Sequence, residues 1–318
     1  MKVSEHLDRA KNPMISVEII PPKRGRSAQK IHDAIESIKP YNPPFVDVTS
    51  HSAEVIWEEM KDGTWKRRVK RKSPGTFGLC AAIKYKFEID PVPHILCNGF
   101  TREETEDALI ELNYLGIENI LAIRGDAKMK KPVAEGRSVN NYAGDLVQQI
   151  RDMNQGKYLG DMIDAAPTNF CVGVSYYPEK HFEAPNLKFD MQILKQKQDH
   201  GAEYGVSQMF FNNQVYHDFS ANAKEMGITL PLIPGLKILT TRRHLTVIPS
   251  IFHVDLPEEL TERLMKADTR EKAIDVGVDW AYRQTLDLLD KGAPLVHFYI
   301  MQNTSPFIKL MKKLKKHL

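Results

Sequence analysis

The sequence predicts a single (β/α)8 barrel, an α/β fold in which eight parallel strands alternate with helices. Short apolar runs typical of buried strands recur along the 318 residues, and most are separated by segments with helical spacing of apolar residues. No G-x-G-x-x-G follows any of these strands, so the dinucleotide fingerprint of the doubly wound sheet, the structural alternative, is absent. No linker-like segment divides the chain, and we expect residues 1–318 to form one barrel domain.

Composition is that of an ordinary globular enzyme, with 42% hydrophobic and 27% charged residues. A net charge of +3 is too small to imply a nucleic-acid partner by itself. Cys80, Cys97 and Cys171 lie far apart in apolar surroundings, which argues against a disulfide framework or a zinc site and favours a reducing compartment. No signal-peptide core and no membrane-spanning apolar run is present, so the sequence predicts a cytoplasmic protein without a membrane partner.

The clearest βαβ unit runs from His94 to Asp126. An apolar run at 95–97 is followed by Thr101 and Glu104, whose spacing is that of a capping box at the start of a helix. A second apolar run at 120–123 then ends in Arg-Gly-Asp at 124–126. Ligands of parallel α/β folds bind at the carboxyl ends of strands, so this tripeptide is a candidate part of a site.

The other elements follow the same alternation. Strands are predicted at 15–20, 45–49, 170–174, 204–208, 232–235 and 296–299. Helices are predicted at 28–39, 74–87, 142–153, 190–200, 216–226 and 270–291, with an amphipathic basic helix at the carboxyl terminus. The most basic run, WKRRVKRK at 65–72, is predicted to form an exposed hairpin in an excursion at about 50–73, where a solvated face is its simplest role.

Glu18 is an acid inside an apolar strand. Alternation directs its side chain to the face opposite that of Val17 and Ile19. Buried acids are rare unless they are paired or take part in chemistry. The pattern leaves two interpretations open: an ion pair with a lysine such as Lys23, or a working acid.

In a barrel, the carboxyl ends of the strands would bring a set of polar and aromatic residues to one face. The set is Glu18, Thr49, His94, Arg124, Asp126, Tyr177, Gln208 and Tyr299. Neither His94 nor His181 has metal-ligand spacing to another ligand, so no metal site is predicted. No serine or cysteine has an obvious activating base, which leaves proton transfer and stacking against a flat ring, and these point to a bound cofactor.

Nine segments support a resemblance to a known family. They are SVEIIPP (16–22), FVDVT (45–49), His94, GIENILAIRGD (116–126), YPEKH (177–181), KQKQDHGA (195–202), SQMFF (207–211), IPGL (233–236) and HFY (297–299). In order and spacing they resemble methylenetetrahydrofolate reductase, from about residue 12 to 310. The chain looks like the bacterial form, which has no regulatory domain.

The resemblance implies a (β/α)8 barrel that binds FAD at its strand ends. NADH or NADPH reduces the flavin and leaves, 5,10-methylenetetrahydrofolate takes its place, and hydride from flavin N5 gives 5-methyltetrahydrofolate in a ping-pong reaction. Members are usually homo-oligomers, dimers or tetramers. Two alternatives within the enzyme class are a flavin barrel of the proline dehydrogenase type and a folate-binding methyltransferase barrel. A nucleic-acid-binding protein using the basic run would leave the strand-end acids unexplained.

Residue roles are also implied by the resemblance. Glu18 matches the acid that protonates a folate nitrogen, and Asp126 matches the carboxylate beside the flavin and the pterin, so these two are the expected catalytic residues. Substrate contacts are expected from Glu18, Asp126, Gln208 and Tyr299. Cofactor contacts are expected from Thr49, His94, Arg124, Gly125, Asp126, Tyr142, Ala143, Tyr177, His181, Asp190 and Lys197. Arg124, His181 and Lys197 are the expected partners of the pyrophosphate.

Overall fold

A computed structural model describes residues 1–70, 74–125 and 136–317 of the chain. Its strands are β1 Ile15–Ile19, β2 Phe45–Val48, β3 Glu54–Glu59, β4 Trp65–Lys70, β5 Asp90–Leu96, β6 Asn119–Ile123, β7 Cys171–Tyr176, β8 Tyr204–Ser207, β9 Leu232–Ile233, β10 Gly235–Leu236 and β11 Val296–Met301. Nine of them form a parallel sheet in the order β10-β11-β1-β2-β5-β6-β7-β8-β9.

The sheet closes on itself at Pro234. This residue separates β9, which pairs with β8, from β10, which pairs with β11. Proline has no backbone N–H, so it interrupts the ladder, while its carbonyl still accepts a hydrogen bond from the His297 amide at 2.9 Å. Because β9 and β10 together act as one interrupted strand, the described residues form an eight-stranded barrel. The predicted (β/α)8 fold is therefore confirmed.

Helices surround this barrel. They are α1 Val3–Arg9, α2 Gln29–Ile38, α3 Thr76–Ala82, α4 Arg102–Tyr114, α5 Ala143–Met153, α6 Leu187–Asp199, α7 Asn213–Glu225, α8 His244–Phe252, α9 Glu258–Lys266, α10 Arg270–Asp290 and α11 Ser305–Leu314, with a 3-10 turn at Lys39–Tyr41 and a π-helical turn at Ile83–Phe87. The largest core cluster lies between them and the outer face of the sheet, where Val17 of β1 and Ile35 of α2 are fully buried. Across the described residues, none of the helices has the length and apolar character needed to cross a membrane.

Three helices, α1, α8 and α9, were not predicted. Helix α1 has seven residues, too few for a clear apolar period, and its structural role becomes visible only in three dimensions. Its buried Val3 packs with Phe45 and Tyr204 inside the barrel, and the Val3 amide donates to Asn119 Oδ1 at 2.8 Å. The helix therefore closes the amino-terminal end of the barrel.

Several strand and helix boundaries also differ from prediction, two of them for a clear physical reason. The strand predicted at 95–97 begins at Asp90, because the whole of β2 pairs with residues 90–93, and Pro91 and Pro93 hide that strand from a pattern-based reading. Helix α7 begins at Asn213 rather than 216, because the Asn212 side chain accepts from the Gln214 amide and caps the helix.

The basic run lies in a two-stranded antiparallel hairpin formed by β3 and β4. Every residue of β4 is exposed, and the Arg68 guanidinium forms an ion pair with Glu58 on the opposite strand. Residues 71 and 72 of the run lie outside the described part of the chain. The hairpin follows β2 and therefore leaves the barrel at the carboxyl ends of the strands.

Candidate active site

Alternation along β1 directs Glu18 into the barrel. Val17 and Ile19 pack in the cluster shared with the helices, whereas Ser16 faces inward and its hydroxyl lies 2.7 Å from His297 Nδ1. Parallel pairing places Glu18 opposite Asp47 of β2 on one side and opposite Tyr299 of β11 on the other. Register alone therefore gathers these side chains in one layer at the carboxyl-terminal end of β1.

We call Glu18, Asp47 and His94 the acid cluster. His94 Nε2 lies 3.3 Å from Asp47 Oδ2 and 3.6 Å from Glu18 Oε2. All three residues are almost completely buried, with exposed fractions of 8%, 0% and 4%. Lys23, the partner considered for Glu18 from the sequence, is exposed beyond the end of the strand, so the ion-pair interpretation with that lysine is wrong. The group beside Glu18 is a histidine from β5.

Burial sets the protonation of the acid cluster. It raises the pKa of Glu18 to about 7, against the opposing effects of the nearby His94 and Lys237, while the Asp47 charge raises it further. Burial also raises the pKa of Asp47 well above its ordinary value and lowers the pKa of His94. Glu18 is therefore a carboxyl group that can hold a proton near neutral pH and release it to a bound base.

Tyr299 closes the β8–β11 side of this layer. Its hydroxyl donates to the Ser207 carbonyl, and the Lys237 ammonium donates to the Tyr299 carbonyl at 3.1 Å. Gly235 makes room for the ring, because a Cβ at that position would lie 2.7 Å from Tyr299 Cε2. The predicted substrate residue Tyr299 is thus held beside Glu18 by a fixed backbone contact.

A second group of predicted residues, the cationic group, consists of Arg124, His181 and Lys197. Arg124 follows β6, and its guanidinium lies 2.7 Å from Glu183 Oε2 and 6.0 Å from the centre of the Tyr142 ring. Lys197 of α6 donates to the Ser175 carbonyl at 2.8 Å, and burial lowers the pKa of its ammonium to about 8. Burial lowers the pKa of His181, and the positive charges of Arg124 and Lys197 lower it further, so the three side chains are close enough to act on one another.

Asp190 and Tyr177 hold this group in place. The Asp190 carboxylate accepts a hydrogen bond from the His181 amide at 2.8 Å and raises the pKa of Lys197, against the larger effect of burial. The Tyr177 and His181 rings meet edge to face with centroids 4.6 Å apart. Cations clustered at the ends of β6 and β7 and on α6 can bind an anionic group such as a pyrophosphate.

Comparison with known proteins identifies the family of the chain. The family model described as methylenetetrahydrofolate reductase matches residues 2–315. The chain belongs to the methylenetetrahydrofolate reductase family. Methylenetetrahydrofolate reductase 1 of Schizosaccharomyces pombe is 28% identical over 316 residues, which cover 98% of this chain and 48% of the relative. The chain spans about half the length of the eukaryotic relatives it matches first.

Bacterial members of the methylenetetrahydrofolate reductase family are matched over more of their length. The 5,10-methylenetetrahydrofolate reductase of Buchnera aphidicola is 27% identical over 308 residues, covering 95% of this chain and 91% of the relative. A solved Clostridium thermocellum protein, described as binding two copies of 5-methyl-5,6,7,8-tetrahydrofolic acid, superposes with a TM-score of 0.61 at 14% identity, covering 99% of this chain and 100% of that one. This last likeness concerns the fold alone.

The remaining residues expected from the methylenetetrahydrofolate reductase resemblance have varied settings. Thr49 follows β2, and its buried Oγ1 has no hydrogen-bond partner within the described ranges. Gly125 has φ +84°, a left-handed conformation that favours glycine, and its carbonyl accepts from Asn98 at 2.8 Å. Ala143 is buried in the first turn of α5. Asp126, the second expected catalytic carboxylate, lies outside the described residues.

Gln208 directly follows β8 at the rim of the barrel. Its Oε1 accepts from the Met209 amide at 2.9 Å, and it lines a small cleft together with Tyr177 and Phe252. The expected amide contact to substrate would therefore come from the α8 side of the rim, where Tyr177 also lies.

Two charged residues of the site were missed from the sequence. Asp47 alternates with Val46 and Val48 just as Glu18 alternates with its neighbours, so the same pattern could have identified it. Lys237 gave no such signal, because it follows a strand of two residues that is interrupted at Pro234. Its position near Glu18 depends on barrel closure, which joins β10 to β11.

Proposed function

We propose that this chain reduces 5,10-methylenetetrahydrofolate to 5-methyltetrahydrofolate, with FAD as bound cofactor and NADH or NADPH as electron donor, in a ping-pong reaction. The observation that carries the proposal is Glu18, a buried acid at the carboxyl-terminal end of the barrel whose pKa is raised to about 7. Membership of the methylenetetrahydrofolate reductase family supplies the substrate class. By the same resemblance we expect a cytoplasmic homo-oligomer.

Glu18 supplies the proton that the substrate needs. The one-carbon bridge of the folate becomes an electrophilic iminium only when one of its two nitrogens is protonated and the five-membered ring opens. An acid with a pKa near the working pH is the most effective proton donor, and burial places Glu18 in that range. His94 Nε2 lies 3.6 Å from this carboxyl group. Asp126 is proposed as the carboxylate that favours the cationic iminium.

FAD fits the donors that the described residues offer. When bound, the flavin would take electrons from the reduced nicotinamide and pass them to the opened one-carbon unit. The buried Thr49 hydroxyl lacks a partner among the described residues and could bond a ring heteroatom, while Arg124, His181 and Lys197 carry the charge suited to a pyrophosphate. The full proposed set is Thr49, His94, Arg124, Gly125, Asp126, Tyr142, Ala143, Tyr177, His181, Asp190 and Lys197.

The folate is proposed to lie against the acid cluster. Glu18, Asp126, Gln208 and Tyr299 are its proposed contacts, with Tyr299 held beside Glu18 by the strand register. The tetrahydrofolate described for the C. thermocellum protein of similar fold supports a folate as the ligand class.

The visible spectrum of the pure protein tests the proposal. We expect a yellow protein with an absorbance band at about 450 nm, as bound oxidised flavin gives. Anaerobic NADH or NADPH should bleach the band, and methylenetetrahydrofolate should restore it. A colourless protein that takes up no added FAD would overturn the proposal. Restoration by a quinone but not by the folate would favour the proline dehydrogenase type instead.

A further inference from the structure

Asp47 is the most deeply buried charged residue of the acid cluster, and the proposed chemistry does not yet use it. It lies on β2, between the strand that carries Glu18 and the strand that carries His94. Its exposed fraction is 0%, and its Oδ1 has no hydrogen-bond partner in the part of the chain that the structure describes. A buried carboxyl costs stability unless it is compensated, so its presence needs an explanation.

The geometry around His94 separates the two acids. One imidazole nitrogen, Nε2, faces both carboxyl groups, and a single N–H can stabilise the anion of only one of them. The shorter contact, 3.3 Å against 3.6 Å, is with Asp47. Asp47 therefore accepts the hydrogen bond from the imidazole N–H. Glu18, which is nearer the solvent, is the acid left to hold a proton of its own.

Neighbouring groups influence the protonation of Glu18 and Asp47. The groups that interact electrostatically with the acid cluster are Lys237, which follows β10, Tyr299 and His297 of β11, Tyr204 of β8 and Cys80 of α3. Burial raises the pKa of both carboxyls, so the pair retains a proton near neutral pH. Lys237 opposes this effect on Glu18, while the Asp47 charge reinforces it.

We infer that Asp47 is a positioning residue for the acid step: it orients His94 and keeps the shared proton on Glu18 until a folate nitrogen accepts it. Asp47 touches no reacting atom in this scheme and acts only through the imidazole and through its charge. The inference rests on the proposed function for its purpose, but the location of the proton can be measured without cofactor or substrate.

Infrared titration of the protein without added ligands tests the location directly. As the pH rises from 5 to 8, the wild type should lose a protonated carboxyl C=O band, and the part of this band that belongs to Glu18 should be missing at every pH in Glu18→Gln. Burial also raises the pKa of Glu179 to about 7, so this residue contributes equally to the band of every variant. If Glu18→Gln keeps the whole band and Asp47→Asn loses part of it, Asp47 holds the proton and the inference is overturned. This comparison needs neither FAD nor folate, so it stands even if the visible spectrum rules out the proposed function.

Asp47→Asn then tests whether the charge of Asp47 raises the pKa of Glu18. The amide keeps an oxygen for the His94 hydrogen but removes the charge, so the Glu18 band should titrate roughly one pH unit lower. Folate-dependent restoration of the flavin band should be roughly tenfold slower at neutral pH and should recover at lower pH. Bleaching by the nicotinamide should change less than about twofold.

Ser16→Ala is the matched control. It removes a buried hydrogen bond to His297 from the same strand and leaves the acid cluster intact. We expect its pH profile and its infrared band to match those of the wild type. An unchanged Glu18 midpoint in Asp47→Asn, or equal slowing of bleaching and restoration without a change in pH profile, would assign Asp47 a structural role only.

Discussion

The two halves of the barrel interior are built from the same strands but filled in opposite ways. The amino-terminal half holds Phe45, Leu121 and Tyr204, closed from below by Val3 of α1. The carboxyl-terminal half holds charged and hydrogen-bonding groups. These are Glu18, Asp47, His94 and Tyr299. The apolar half stabilises the fold, and the polar half carries an acid whose charge is costly to bury.

Strand β2 contributes one side chain to each half of the barrel interior. Phe45 and Asp47 both face inward and are two residues apart, one in the apolar packing and the other in the acid cluster. A shift of one residue in register would turn both side chains outward. The pairing of β2 with β1 and β5 therefore serves stability and the proposed chemistry together.

The largest stability effect is expected in the apolar half. A Cβ on Gly173 would lie 2.2 Å from Cζ of the fully buried Tyr204 ring, so Gly173→Ala should lower the free energy of unfolding by about 3 kcal/mol. Urea unfolding measures this change. Gly78→Ala in α3 is the control, because a Cβ there meets nothing within 4 Å, and it should leave stability equal or slightly higher. Equal effects of the two variants would contradict the tight packing of this half.

Cofactor affinity is expected to depend on Lys197 in the polar half. Lys197→Met keeps the length of the buried side chain and removes its charge, so FAD affinity should fall roughly tenfold to hundredfold through loss of a charge-assisted hydrogen bond. Lys195→Met, on the same helix and paired with Asp199 near the surface, should bind FAD like the wild type. Fluorescence titration of the apoprotein with FAD measures both affinities. Unchanged affinity in Lys197→Met would remove Lys197 from the cationic group.

A smaller effect links Glu18 to stability and pH. The pKa of Glu18 is about 7 in the folded protein and 4.5 in the unfolded chain, so its contribution to stability is full below pH 4.5 and is lost as the pH rises through 7. Glutamine does not ionise. Relative to the wild type, Glu18→Gln should therefore gain about 2 kcal/mol between pH 5 and pH 8. Urea unfolding at these two pH values checks the sign, and a constant difference would contradict a raised Glu18 pKa.

The sequence predicted the barrel, and it predicted that Glu18 lies on the face opposite Val17 and Ile19, because both follow from local alternation and element order. It did not predict the partner of Glu18, since His94 reaches that carboxyl only through the register of β1, β2 and β5. Helix α1 was missed because it has one buried apolar residue and no period. Barrel closure at Pro234 was not predicted either, because a proline within a short apolar run indicates the end of a strand.

The rate of each half-reaction in Glu18→Gln most directly tests the central claim that Glu18 is the acid of the polar half. Under anaerobic stopped-flow conditions, bleaching of the flavin band by NADH or NADPH should stay within about twofold of the wild-type rate, since no folate nitrogen is protonated in that step. Restoration of the band by methylenetetrahydrofolate should slow by about 10²–10⁴-fold, the usual contribution of a positioned general acid. Equal losses in both half-reactions, or restoration at the wild-type rate, would contradict that role.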